Sequence, residues 1–133
     1  MKAKRLDHVA IAVPDLEAAL ATYRENFGLP LAGQGEAPGL HRAALQIGDA
    51  RLEFLSPTDA QGAVAQFLAA RGSGLYLLSL EVDDLDAAVA ELRARGIEVQ
   101  LDTDAAGRRL ARLRPEDTHG VLLELRAPGG SEA

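Results

Sequence analysis

Three residues of this chain carry a chemistry that its patterning does not otherwise explain. Glu53 interrupts the apolar run RLEFL, and Glu124 interrupts VLLELR. A carboxylate inside such a strand-like run needs an ionic partner, a metal, or exposure to water or a cavity. In a two-residue period Glu53 shares its face with Arg51 and Leu55, and Glu124 shares its face with Leu122 and Arg126. His8 opens a third strand-like segment, HVAIAV. Two carboxylates facing one cavity repel each other, so one of them binds a proton more tightly, and an imidazolium at His8 would neutralise the other. The set therefore suits proton transfer. It equally suits a hard, oxygen-rich half-shell for Mn2+, Mg2+ or Zn2+, or the polar floor of a binding pocket. The plain alternative is an outer strand face on which each glutamate is solvated.

The elements that would position these residues repeat. Residues 8–24, HVAIAVPDLEAALATYR, align with residues 77–93, LLSLEVDDLDAAVAELR, at an offset of 77 − 8 = 69. Further on, RLEFLSP from Arg51 aligns with LLELRAP from Leu122 at an offset of 122 − 51 = 71; the first offset places His8 on Leu77 and the second places Glu53 on Glu124. Each half reads as a strand, a helix and further strands. Residues 5–13 alternate as a strand, and Pro14-Asp15 breaks it. Asp15 is placed to cap a helix whose apolar face is Leu16, Ala19, Leu20, Tyr23 and Phe27, with Gly28 as its stop. Segments near 40–47 and 50–56, split by Gly48-Asp49, form a hairpin. In the second half Leu77–Val82 is a strand. Asp84 caps a helix with Leu85, Ala88, Val89 and Leu92 inward, Gly96 ends it, and strands follow near 97–101, 108–114 and 121–126. Thr58–Arg71 reads as a linking helix, with Thr58 and Gln61 spaced as a capping box and Val64, Phe67 and Leu68 inward. The tail, 129–133, should fray.

The expected fold class is α+β: two tandem βαβββ modules forming a curved mixed sheet around a cavity, with the helices outside. Residues 1–133 form a single domain on this reading. Module one covers about 5–57, the linking helix 58–71 and module two about 75–128. His8, Glu53, Leu77 and Glu124 should line the shared cavity.

Composition narrows the chemistry. The 133 residues contain no cysteine, which removes disulfides, thiolate nucleophiles and Cys-based metal sites. Twenty acidic residues against 14 basic ones give a formal net charge of −6, a surface that repels nucleic-acid backbones. No apolar run approaches the roughly 18–20 residues of a membrane span. The N-terminal stretch lacks a secretory pattern, so a cytoplasmic setting is expected.

The segments DHVAIAV, PDLEAAL, YRENFGL, IGDARLEFLSPTD, EVDDLDAAVAELRARGI and GRRLARLRPEDTHGVLLEL together resemble the vicinal-oxygen-chelate superfamily, which includes the glyoxalases, and within it most closely the methylmalonyl-CoA epimerases. The resemblance runs from about Arg5 to Pro128. It implies paired βαβββ modules, an acyl-CoA or other small-molecule substrate, a homodimer, and a divalent metal (Zn, Co, Mn or Mg). Carried over, the ligand positions fall on His8, Glu53, position 77 and Glu124. Position 77 departs from the pattern: Leu77 cannot bind a metal, so the implied set is His8, Glu53 and Glu124 and the site is weakened. The resemblance implies a catalytic carboxylate at Glu124 and a second one in a loop before the hairpin. An ungapped count from Gly48-Asp49 puts that loop acid on Ala37, so Glu36 matches only with a one-residue shift. Arg108 and Arg109 follow a glycine-containing segment and are the candidates for substrate phosphates. His41 and His119 are further polar candidates.

Two functions compete. One is an isomerase or lyase that moves a proton alpha to a thioester or carbonyl. The other is a non-catalytic small-molecule-binding protein of the resistance type. A ring-cleaving dioxygenase is disfavoured by the missing ligand at Leu77.

Overall fold

The computed structural model describes residues 2–104 and 106–128; the tail expected to fray lies outside them. The chain divides into two compact units, His8–Tyr76, and Leu77 onward with the residues up to Asp7.

The first unit contains β1 (Ala3–Ala12) from His8 on, α1 (Leu16–Phe27), β2 (Leu31–Ala37), β3 (Leu40–Ile47), β4 (Ala50–Pro57) and α2 (Ala63–Arg71). Its strands lie in the order β2-β3-β4-β1. β3 is antiparallel to both β2 and β4, and β1 runs parallel to β4. Asp15 caps α1 by accepting a hydrogen bond from the Ala18 N–H at 3.1 Å. Gly28 closes the helix with φ 65°, a left-handed conformation that glycine adopts most readily. Leu16 and Leu20 of α1 pack on Val13, Ala43, Leu45 and Phe54, with Tyr23 at the margin. Phe27, expected on that inward face, is 64% exposed. At the helix end its ring leans on Tyr23, with centroids 5.5 Å apart.

Two local expectations change. Residues 31–37, to which the sequence pattern assigns no strand, form an edge strand because they pair with β3, Gln34 opposite Ala43 and Glu36 opposite His41. Gly33 and Gly35 and the lack of β-branched residues hide this strand from propensity. The helix expected from Thr58 starts at Ala63. Asp59 Oδ1 accepts from the N–H groups of Gln61 at 2.9 Å and Gly62 at 3.1 Å, so an Asp-centred turn replaces the Thr58–Gln61 capping box.

The second unit contains β5 (Gly74–Val82) from Leu77 on, α3 (Leu85–Ala94), β6 (Val99–Thr103), β7 (Arg109–Leu113), a 3-10 turn at Pro115–Asp117 and β8 (Leu123–Arg126). The order β5-β8-β7-β6 repeats the first unit's pattern. β5 is parallel to β8, and β7 is antiparallel to both β8 and β6. Asp84 caps α3 through the Ala87 N–H at 3.0 Å. Leu85, Ala88, Val89 and Leu92 close over Val82, Val99, Ala111, Leu113 and Leu125. The α+β class and the doubled strand–helix–three-strand order are as expected. Among the described residues no helix is long and apolar enough to cross a membrane.

Candidate functional site

Strand alternation sorts each sheet into a helix-packed face and a polar one. In the first unit Ala43, Leu45 and Phe54 pack on α1, so their neighbours Arg42, Ala44 and Glu53 face away from it. His8 lies on that same side: its Nε2 is 3.7 Å from Glu53 Oε1, and both side chains are largely buried. Arg42 Nη1 donates to Glu53 Oε2 at 3.2 Å. The hairpin register explains the reach of Arg42. Ala44 stands opposite Glu53 and Arg42 opposite Leu55, so Arg42 approaches Glu53 diagonally.

In the second unit Leu80, Val82 and Leu125 pack on α3, so Leu77, Ser79, Glu81, Glu124 and Arg126 face away. Ser79 pairs with Glu124 and Glu81 with Arg126 across β5 and β8. Glu124 is 2% exposed. Arg126 Nε donates to Glu124 Oε2 at 2.7 Å, and its Nη1 donates to Asp104 Oδ2 at 2.6 Å. Asp104 Oδ1 also accepts from the N–H groups of Ala106 and Arg108, both at 2.9 Å. Burial works against the charge on Asp104. Arg126 and the Arg108 and Ala106 N–H groups outweigh it and hold the carboxyl below the usual range. Burial alone would likewise depress the Arg126 guanidinium, but Glu124 and Asp104 more than reverse it. Nearby, Arg5 Nε donates to buried Glu81 at 3.0 Å.

The structure does not gather every expected residue. Glu36 shares its strand face with Gln34, whose amide reaches Glu17 of α1 at 3.4 Å. That is the side opposite Glu53. Glu36 is exposed there and lies 3.3 Å from His41 Nδ1. Ala37, one residue on, faces the Glu53 side, so the one-residue shift that would recruit Glu36 carries it to the wrong face. Arg109 is on the α3 side, where it pairs with Asp86; the Arg109 hydrogen bond and charge hold that carboxyl below its usual range. Arg108 takes the other side and donates to the Ala127 carbonyl at 3.1 Å. His119 is exposed beyond the 3-10 turn, with φ 61°.

The donor set does not fit the four-ligand divalent centre implied by the resemblance. Leu77 offers no donor, Arg42 holds one oxygen of Glu53 and Arg126 holds one oxygen of Glu124. Among the described residues no group of three or more His, Asp or Glu side chains is placed to hold a metal ion.

Residues 5–125 match the model of the glyoxalase/bleomycin resistance protein/dioxygenase superfamily. The chain belongs to this superfamily. The superfamily chain is 35% identical over 127 residues to the mitochondrial methylmalonyl-CoA epimerase of Homo sapiens, covering 91% of this chain and 72% of that protein. It is 34% identical over 128 residues to the ethylmalonyl-CoA/methylmalonyl-CoA epimerase of Cereibacter sphaeroides, covering 91% of this chain and 96% of the other. Among solved structures, the methylmalonyl-CoA epimerase from Mycobacterium tuberculosis superposes with a TM-score of 0.89. It is 32% identical, covering 98% of this chain and 91% of the other.

Arg42, Arg126 and Asp104 were not among the expected site residues. Arg126 carried a signal, since it stands two residues after Glu124 on the same strand face. Arg42 becomes visible only once the hairpin register is counted across Gly48-Asp49. Asp104 carries no sequence signal, because it acts from a turn.

Proposed function

We propose that this chain is an epimerase-like isomerase that moves the proton alpha to the thioester carbonyl of a branched acyl-CoA. The observation that carries the proposal is the Glu53–His8 pair, a carboxylate and an imidazole 3.7 Å apart on the sheet face away from α1, in a superfamily chain whose relatives are named as epimerases of such thioesters. Removing an alpha proton needs a positioned base, and the enolate that forms needs positive charge nearby. The Glu53 side chain is 17% exposed and that of Glu124 only 3%, so Glu53 is the carboxylate assigned to meet substrate. Arg42 fixes Oε2, and Oε1, on the His8 side, takes the proton. The C–H bond breaks and its electron pair enters the enolate. Return of that proton from Glu53 to the same face restores the centre; a proton taken from solvent on the opposite face inverts it, and Glu53 then gives its own proton to solvent. Glu124 is the second carboxylate of the proposal. Arg108, on its side of the sheet, is the arginine assigned to a CoA phosphate.

Ala37 and Leu77, at the positions of the family's loop acid and fourth ligand, favour one second reading: a protein that binds an acyl-CoA and leaves it unchanged. Incubation with one epimer of methylmalonyl-CoA, followed by chiral separation, decides between them. Conversion to the mixed epimers is expected. Saturable binding without conversion would overturn the isomerase.

A further inference from the structure

Arg126 is a guanidinium largely withdrawn from water, its side chain only 11% exposed, and it bridges two carboxylates. Glu124, the innermost of the three, is 2% exposed. Burying a carboxylate is costly unless a cation or hydrogen-bond donors meet it. In the implied centre that cation is a divalent metal held in part by position 77, where this chain has leucine. The first unit meets the same need differently. By the 71-residue offset Arg126 corresponds to Leu55. Arg42, opposite Leu55 in the sheet, corresponds to Leu110, opposite Arg126. Two arginines at non-equivalent positions thus reach two equivalent glutamates, so the pairings are not a by-product of the repeat.

We infer that Arg126 is a resident cation of Glu124: its guanidinium pairs with that carboxylate and orients it where a metal would otherwise be required, and the protein works without a divalent ion. Arg126 is on this view a positioning residue that acts through Glu124. Its purpose rests on the proton-transfer reading, but the pairing is testable with no substrate present, so the two can fail separately. Asp104 holds the far side of the guanidinium, and its fixed contacts with the Ala106 and Arg108 N–H groups prevent the fork from swinging away.

The test is a set of thermal melts on the full chain: wild type with and without excess Co2+ or a chelator, then Arg126→Gln, Arg126→Lys, Glu124→Gln and the double variant Arg126→Gln/Glu124→Gln. The wild type should melt at one temperature in all three solutions. Arg126→Gln should melt roughly 10–20 °C lower, because it removes the guanidinium that meets two carboxylates, one of them almost wholly buried. The double variant should recover at least half of that loss, and so should Arg126→Lys, which keeps a cation. Should Arg126→Gln not fold, folding of the double variant under the same conditions is the same result. A Co2+-induced rise in the wild type overturns the inference. So does a double variant whose loss is the sum of the two single losses, or an equal loss in the Lys and Gln variants.

Discussion

Asp104 is the outermost member of the Glu124–Arg126 network, and its removal has a magnitude that follows from its contacts. Oδ1 accepts two backbone N–H groups and Oδ2 accepts Arg126 Nη1. Hydrogen bonds to a charged group contribute about 1.5–3 kcal/mol each when buried. The Asp104 side chain is 25% exposed, so solvent screening cuts the sum to about 3 kcal/mol for Asp104→Ala. Asp104→Asn keeps an acceptor for both N–H groups and gives up the ion pair, at a cost of about 1 kcal/mol. For a chain of this size the two losses correspond to roughly 10 °C and 4 °C in Tm. Their pH dependence has a definite sign. Arg126 and the N–H groups hold the folded carboxyl below its usual range against the opposing effect of burial. The stabilisation is therefore complete above the unfolded value of about 3.9 and is lost as pH falls through the folded one. Urea melts of wild type, Asp104→Ala and Asp104→Asn at several pH values should show a gap that is constant near neutrality and closes below about pH 4. Equal losses in the two variants, or a gap unchanged in acid, would refute the reasoning.

Glu36→Gln should leave alpha-proton exchange unchanged within error, because Glu36 lies on the α1 side of its sheet; a clear loss in the exchange assay would place that carboxylate in the site after all. Arg109→Ala should leave the melting temperature unchanged within error, as expected for an exposed ion pair, and leave the KM for an acyl-CoA unaltered, whereas Arg108→Ala should raise it. Leu77→His should destabilise the chain by about 1–3 kcal/mol and gain nothing from Co2+ in a thermal melt, because Arg126 already holds Glu124.

The repeat made most of the fold legible. Asp15 and Asp84 cap their helices as their spacing indicates, and Val82, Leu85, Ala88, Val89 and Leu92 share one core. β2 was not legible, because an edge strand of small residues gains its conformation from β3 rather than from its own propensity. In the site, Glu53 and Glu124 stood out because charge inside an apolar run demands a reason. Two of the groups that complete their networks were harder to see. Arg42 reaches Glu53 across a hairpin whose register must be known to the residue, and Asp104 reaches Arg126 from the turn between β6 and β7. Glu36 shows the opposite failure. A one-residue shift in an alignment costs little on paper, yet in a strand it exchanges the two faces of the sheet.

The most direct test of the proton-transfer claim is to dissolve wild type and Glu53→Gln with methylmalonyl-CoA in D2O and follow the alpha-proton signal by NMR. In wild type the signal should disappear and the methyl doublet collapse to a singlet, with the same rate in excess chelator. Glu53→Gln should slow the exchange by about 10²–10⁴-fold, the usual cost of removing a positioned base. Exchange that proceeds undiminished in Glu53→Gln, or that is absent from the wild type, would contradict Glu53 as the base.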